Sequence, residues 1–367
     1  MSKRYVLKIG SSLLTNEDGA LNRDYLEFLV KHISDALKKG TELLIVTSGA
    51  IATGIGRLGM HFEPKSLPEK QALAAVGQVV LMNEYKTIFN KYDHIIAQIL
   101  LTRNDISNRE GYINTRNTLL TLLNKNIIPI INENDTVSTE EIKFGDNDML
   151  SALVASKVEA DYLVILSDVE GLYTDNPKKN KDAQLVKEVE KIDDKIIDYA
   201  GTKGSMRGTG GMITKLNAAK LATGNGVEVI IANGSNKEIL SKIFSDDNIG
   251  TKFLADKHTR SSKQKWLASC AHLKGEVWID DGAKDAMLNK GKSLLPVGIK
   301  KVTGNFEIGD AVCILDSDGK KIAQGIVLYS SKEIQMIQGK SSGQIEEILG
   351  HKDYDEVVHR DNMVVLT

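Results

Sequence analysis

Along the first two-thirds of the chain, short apolar runs alternate with longer stretches in which apolar residues recur every third or fourth position. The runs at residues 4–9, 42–47, 94–101, 126–131, 161–166 and 227–232 have the length of strands. Most are apolar on both faces, as strands inside a parallel sheet are. The stretches between them read as helices: residues 21–39, closed by Gly40; residues 67–90, rich in Ala and Gln; a segment ending near Asn124; one opening at residues 144–148; and the run 216–222 that follows Lys215. Gly77 predicts a close helix contact, and the apolar stripe around it is ordinary core packing. Strands alternating with helices predict an α/β fold, a mainly parallel open sheet sandwiched by helices.

The rhythm stops near Ala255. At 367 residues the chain exceeds what one core usually holds, so two domains are expected. The pattern places an α/β domain at residues 1–255, a short polar linker at 256–272 and a smaller β-rich domain at 273–367. In this tail, short apolar segments are separated by turn signals such as Asp281-Gly282-Ala283, Leu294-Leu295-Pro296-Val297-Gly298-Ile299 and Gly309-Asp310.

Composition narrows the class. With 41% hydrophobic and 26% charged residues, the chain is an ordinary globular protein. No apolar run approaches the ~18 residues that span a bilayer, and Met1-Ser2-Lys3-Arg4 leads straight into a strand with no signal peptide, so a cytoplasmic location is expected. A net charge of −2 argues against a general binder of nucleic acid or acidic membrane. Cys270 and Cys313 are the only cysteines, and the seven His are scattered, which suits a reducing compartment and offers neither a disulfide framework nor a structural metal cluster.

Candidate chemistry lies where the strand pattern breaks. Gly208-Thr209-Gly210-Gly211-Met212-Ile213-Thr214-Lys215 precedes a helical run; its glycines let backbone amides turn toward an anion, and its lysine falls in the first turns of the helix. That is a phosphate cradle, and it is not of the Walker type. A plain helix-entry turn is the competing reading. Lys8 lies near the end of an otherwise apolar strand before Gly10-Ser11-Ser12, which suits a phosphate ligand at a strand's carboxyl end; the alternative is an edge strand with Lys8 in water. Ser48-Gly49-Ala50 and Ser167-Asp168 follow two further strands in the same way.

A second polar focus is formed by Asn132-Glu133-Asn134-Asp135-Thr136 and Phe144-Gly145-Asp146-Asn147-Asp148. Their amides and carboxylates suit a small zwitterion, while a cation loop is the alternative and lacks EF-hand spacing. Gly54-Ile55-Gly56-Arg57-Leu58-Gly59 matches the dinucleotide fingerprint but starts well past its strand, and His359-Arg360-Asp361 lacks partner motifs. Neither carries function.

Lys8-Ile9-Gly10-Ser11-Ser12, Thr47-Ser48-Gly49-Ala50, Leu101-Thr102-Arg103, Ile131-Asn132-Glu133-Asn134-Asp135, the 144–148 motif and the 208–215 cradle together resemble the amino acid kinase family, in the family's order, and the tail resembles a PUA domain. The resemblance covers nearly the whole chain. It implies that Lys8 and Lys215 neutralise the transferring phosphoryl group while Asp148 holds them. Lys8, Gly10, Ser11, Ser167, Asp168, Thr209, Gly210, Gly211, Met212, Ile213, Thr214 and Lys215 would bind ATP. Ser48, Gly49, Asn132, Asp135 and Asn147 would line the amino-acid site, with the backbone of Gly49 also offered to phosphate. Further implications are Mg²⁺ with unassigned ligands, L-glutamate as the acceptor on the route to proline, proline as an inhibitor, and a homo-oligomer, dimer or tetramer. Another small acid is the alternative acceptor. PUA domains elsewhere bind RNA, but residues 273–367 hold 12 Lys and Arg against 15 Asp and Glu, the opposite sign to a phosphate-binding surface.

Overall fold

The computed structural model describes residues 2–16, 20–60, 64–107, 109–138, 147–177, 179–200, 211–245, 247, 249–256, 267 and 272–366. They form two compact units that divide near residue 260. The first is built on an eight-stranded sheet of order β3-β4-β2-β1-β5-β7-β8-β6. Its strands are β1 (Arg4–Ile9), β2 (Glu42–Val46), β3 (Ile96–Leu101), β4 (Ile128–Glu133), β5 (Tyr162–Ser167), β6 (Glu188–Val189), β7 (Glu228–Asn233) and β8 (Thr251–Phe253), and its helices are α1 (Ser11–Leu14), α2 (Arg23–Lys38), α3 (Ala50–Arg57), α4 (Leu67–Asn90), α5 (Arg103–Ser107), α6 (Arg109–Asn124), α7 (Asn147–Lys157), α8 (Asp194–Tyr199), α9 (Met212–Thr223) and α10 (Ile239–Phe244). All neighbours are parallel except β7 and β8. The short β6 and β8 at the sheet's far edge have no counterpart in the expected strands, being too brief for a periodic signal.

β1 is central, between β2 and β5, which rules out the edge-strand reading of Lys8. Side chains alternate along a strand, so Tyr5, Leu7 and Ile9 share one face of β1 and Val6 and Lys8 the other. The first face packs on α2 (Arg23–Lys38) through Leu26, Leu29, Val30 and Ile33, and on α4 (Leu67–Asn90) through Tyr85, Ile88 and Phe89. α2 begins where the Asn22 side chain accepts from the Tyr25 N–H, and α4 begins with a Ser66/Glu69 capping box. The opposite side carries α7 (Asn147–Lys157) and α9 (Met212–Thr223), with residues 150–157 of α7 buried on every side. A helix buried all round belongs to the interior, and its polar N-terminus is therefore held inside the protein.

α3 (Ala50–Arg57) and α4 lie unusually close. A Cβ on Gly77 would stand 1.8 Å from the Ala50 carbonyl oxygen, and one on Gly54 2.1 Å from that of Leu73. The contact expected at Gly77 is present, and the dinucleotide-like glycines at 54 and 56 are helical residues of α3. No helix among the described residues is long and apolar enough to cross a membrane.

The second unit holds a five-stranded sheet of order β10-β9-β11-β12-β13, made of β9 (Leu273–Ile279), β10 (Ile299–Gly304), β11 (Ala311–Leu315), β12 (Lys321–Ile326) and β13 (Met363–Val365). Only β9 and β11 run parallel. Its core gathers Val277, Ile279, Val312, Ile314, Tyr329, Ile334 and Ile337. The expected β-rich tail is thus found, with one correction: Asp281-Gly282-Ala283 opens the helix Asp281–Leu288, because the Asp280 side chain caps it by accepting from the Ala283 N–H at 2.8 Å.

Candidate active site

Four parallel strands, β4-β2-β1-β5, end side by side, and register aligns Lys8 with Val46 on β2 and Ile165 on β5. At or just beyond these ends lie Gly10 and Ser11, Ser48 and Gly49, Asn132, and Ser167 with Asp168. The Gly10 N–H donates to the Leu166 carbonyl at 3.0 Å, tying the turn after β1 to β5. Gly49 has φ of 91°, a left-handed conformation that favours glycine, and caps α3. Ser167 is buried, whereas Asp168 is exposed.

At the centre, Lys8 Nζ lies 2.6 Å from Asp148 Oδ1, and Lys215 Nζ donates to Asp148 Oδ2 at 3.1 Å. The Thr214 hydroxyl reaches the same Oδ2 at 3.2 Å. Relative exposures of 4% for Lys8, 0% for Asp148 and 5% for Lys215 show that these charges meet out of water. Three different elements deliver them: β1 by side-chain parity, α7 by its first turn, and α9 by a first turn that starts at Gly211. Burial pushes the Asp148 carboxyl pKa up, but the two ammonium groups outweigh it and hold the pKa below its ordinary value, so the carboxylate stays ionised at neutral pH. Two ammonium groups sharing one carboxylate carry a summed charge of +1, suited to an anion.

Asn147, adjacent to Asp148, joins this cluster to a chain of amides. Its Nδ2 donates to the Thr47 carbonyl at 2.8 Å, to Ser48 Oγ at 2.9 Å and to Asn132 Oδ1 at 3.0 Å. Asn132 Oδ1 also accepts from the Glu133 N–H at 2.9 Å, and Asn132 Nδ2 donates to Gln78 Oε1 at 2.8 Å. Backbone groups fix the polarity of this relay, because the Glu133 N–H can only donate and the Thr47 carbonyl can only accept. Asn132 must therefore present oxygen to Glu133 and nitrogen to Gln78, and Asn147 must present nitrogen to Thr47. What remains without a partner among the described residues is a donor at one end, Gln78 Nε2, and an acceptor at the other, Asn147 Oδ1. The network thus sets amides of fixed polarity beside the charged cluster, chemistry suited to the carboxylate and ammonium of an amino acid. The Thr47 hydroxyl bonds Tyr85 OH at 3.1 Å, anchoring this end to α4.

Of the residues singled out from sequence, the structure brings together Lys8, Asp148, Thr214 and Lys215 in one cluster and Ser48, Asn132 and Asn147 in the next. Gly10, Ser11, Ser167 and Asp168 border them at the strand ends. Gly211 caps α9, with Met212 and Ile213 in its first turn; Asp135 occupies the turn after β4 and is half-buried. Thr209 and Gly210 lie outside the described residues, as do Phe144, Gly145 and Asp146. Sequence reasoning missed Gln78 and the backbone role of Thr47. The available signal for Gln78 was a polar residue at a core position of α4, beside Gly77.

Comparison with known proteins identifies the family of the chain. The model of the amino acid kinase family matches residues 3–233, and that of the PUA domain matches residues 275–349. A protein named glutamate 5-kinase from Caldanaerobacter subterraneus subsp. tengcongensis is 50% identical over 363 residues, covering 99% of this chain and 98% of the relative. Another so named, from Moorella thermoacetica, is 47% identical and covers 100% and 97% respectively. Among solved structures, UMP kinase from Bacillus anthracis matches with a TM-score of 0.50 at 15% identity, covering 69% of this chain and 96% of that one, a likeness of fold. The chain belongs to the amino acid kinase family, among its glutamate 5-kinases, and carries a PUA domain.

Proposed function

We propose that this protein transfers the γ-phosphoryl group of ATP to the side-chain carboxylate of L-glutamate, giving L-glutamyl 5-phosphate in the first step of proline biosynthesis. The observation that supports this reading is the Lys8–Asp148–Lys215 cluster lying one residue away from the Asn132–Asn147 relay. A carboxylate is ionised at neutral pH, so the acceptor needs no general base. The remaining task is to align two anionic reactants and to offset charge on the group in transit. In this reading Lys8 and Lys215 face the phosphoryl oxygens, Asp148 fixes both ammonium groups, and the backbone around Gly10, Ser11 and residues 209–215 holds the phosphate tail, with Ser167 and Asp168 beside the nucleotide. Ser48, Gly49, Asn132, Asp135 and Asn147 hold the amino acid.

Both oxygens of Asp148 are engaged by lysines, and among the described residues no three His, Cys, Asp or Glu side chains gather as a metal cage. This donor set fits a Mg²⁺ carried mainly by nucleotide phosphates and water, where it would add to the neutralisation of the β- and γ-oxygens. Proline, a smaller amino acid with the same α-carboxylate and an amine, would compete for the relay and act as feedback inhibitor.

Purified protein given Mg-ATP and glutamate should release ADP, and proline should raise the KM for glutamate. ADP release no greater than in a blank without glutamate would sink the proposal. Aspartate, acetylglutamate, carbamate and UMP form the comparison panel, and a higher kcat/KM with any of them would reassign the acceptor.

A further inference from the structure

Gln78 is 7% exposed and sits at a core position of α4. A methionine or leucine would fill such a position at lower cost, because a buried amide must be paired to be tolerated. Gln78 makes one bond, from Asn132 Nδ2 to its Oε1, and its Nε2 has no partner among the described residues. That one bond therefore needs a reason. The preceding residue supplies its setting: Gly77 lets α4 approach the first turn of α3 to within backbone contact, and α3 starts directly after Ser48-Gly49. The crossing thus brings Gln78 to the amino-acid end of the site.

We infer that Gln78 is a positioning residue for the amino-acid acceptor, acting through Asn132. Its Oε1 holds the nitrogen end of the Asn132 carboxamide while the Glu133 N–H holds the oxygen end, so the carboxamide plane is fixed and Asn132 Oδ1 is aimed at Asn147. Without that hold, Asn132 can rotate about its terminal bond, and Asn147 loses one of the acceptors that orient it. The inference deepens the reading of this site as a glutamate site and rests on it.

Gln78→Met and Gln78→Glu in the full-length enzyme separate positioning from packing. Methionine keeps the volume and removes the acceptor; glutamate keeps an oxygen for Asn132 in either protonation state. Gln78→Met should raise the KM for glutamate about tenfold, the scale of one buried hydrogen bond, with kcat and the KM for ATP changed less than about threefold. Gln78→Glu should restore the glutamate KM to within about threefold of the wild type, although burying a carboxylate lowers its melting temperature below that of the methionine variant. Gln78→Leu replaces the methionine variant if that one does not fold. An unchanged glutamate KM in Gln78→Met, or a Gln78→Glu enzyme whose glutamate KM exceeds that of Gln78→Met, overturns the inference while leaving the functional proposal standing. A wild-type enzyme that turns over no glutamate overturns both.

Discussion

Beside the eight-stranded sheet the buried charges Lys8, Asp148 and Lys215 meet side chain to side chain near the carboxyl ends of the central strands; in the tail the buried Asp316 folds back onto its own turn and one lysine of the neighbouring helix. Lys8, Asp148 and Lys215 come from segments more than sixty residues apart in sequence and meet below 6% exposure. Asp316, the buried acid of the tail, accepts from the N–H groups of Asp318 and Lys320 in its own turn, at 3.1 and 2.9 Å, and from Lys284 Nζ at 2.7 Å. Closing a turn is reason enough for Asp316. Two lysines on one acid, buried together, carry desolvation costs that local geometry does not require, and the proposed phosphate chemistry would account for them. The difference separates a polar group that serves the fold from one that serves a ligand.

The sharpest way to break this comparison is to remove one ammonium group. Lys8→Ala and Lys215→Ala should each lower kcat by roughly 10² to 10³, the range for a charge that stabilises a transition state in a closed site. Turnover within tenfold of the wild type in either variant would show that the buried cluster serves the fold, as Asp316 does.

Next in size is the helix crossing that carries Gln78. Gly77→Ala puts a methyl group 1.8 Å from the Ala50 carbonyl oxygen, so α3 and α4 must separate. Overpacking of this kind costs about 1–3 kcal/mol, and the glutamate KM should rise as Ser48 and Gly49 shift with α3. Chemical denaturation and initial-rate kinetics on the same preparation check both effects. Gly40→Ala is the control, since a Cβ there meets nothing within 4 Å, although its φ of 86° strains any side chain.

Much of this was legible in the sequence, and the parts that were not share a physical cause. A lysine at the end of an unbroken apolar run announced a buried cation, and the alternation of strands and helices announced the sheet. The pairing of Lys8 with Asp148 joins residues 140 apart, and periodicity carries no information about such contacts. Gln78 occupies a core position that hydrophobic patterning reads only as a flaw in the stripe. Asp281-Gly282-Ala283 reads as a turn because the same residue types favour turns and helix N-caps, and only the following helix, with Met287 buried in the tail core, decides between them.

A smaller effect comes from acid. Because the folded Asp148 carboxyl has a pKa below its ordinary 3.8, it binds a proton less readily than the unfolded chain does. Its stabilising contribution is therefore complete above that ordinary value and fades as pH falls through the lowered one. The melting temperature of the wild type should exceed that of Asp148→Asn by a constant margin at pH 5–8, and the margin should narrow below pH 3.8. A margin that narrows already between pH 8 and 5 contradicts the assignment.

The smallest effect is expected at the acid that anchors the comparison. Asp316→Ala removes the acceptor for Lys284 and for two turn N–H groups, and it should lower the melting temperature of the full chain by a few degrees, in line with losing local hydrogen bonds in a domain of this size. Turnover, glutamate KM and ATP KM should stay within about twofold of the wild type, since every bond of Asp316 closes the β11–β12 turn or holds the helix Asp281–Leu288. Lys284→Ala should reproduce the thermal effect in part, because the N–H groups of Asp318 and Lys320 still bind the carboxylate. A tenfold change in glutamate KM on Asp316→Ala would mean that the tail's buried acid reaches the chemistry after all, and the division between buried charge that serves the fold and buried charge that serves a ligand would fail at its simplest case.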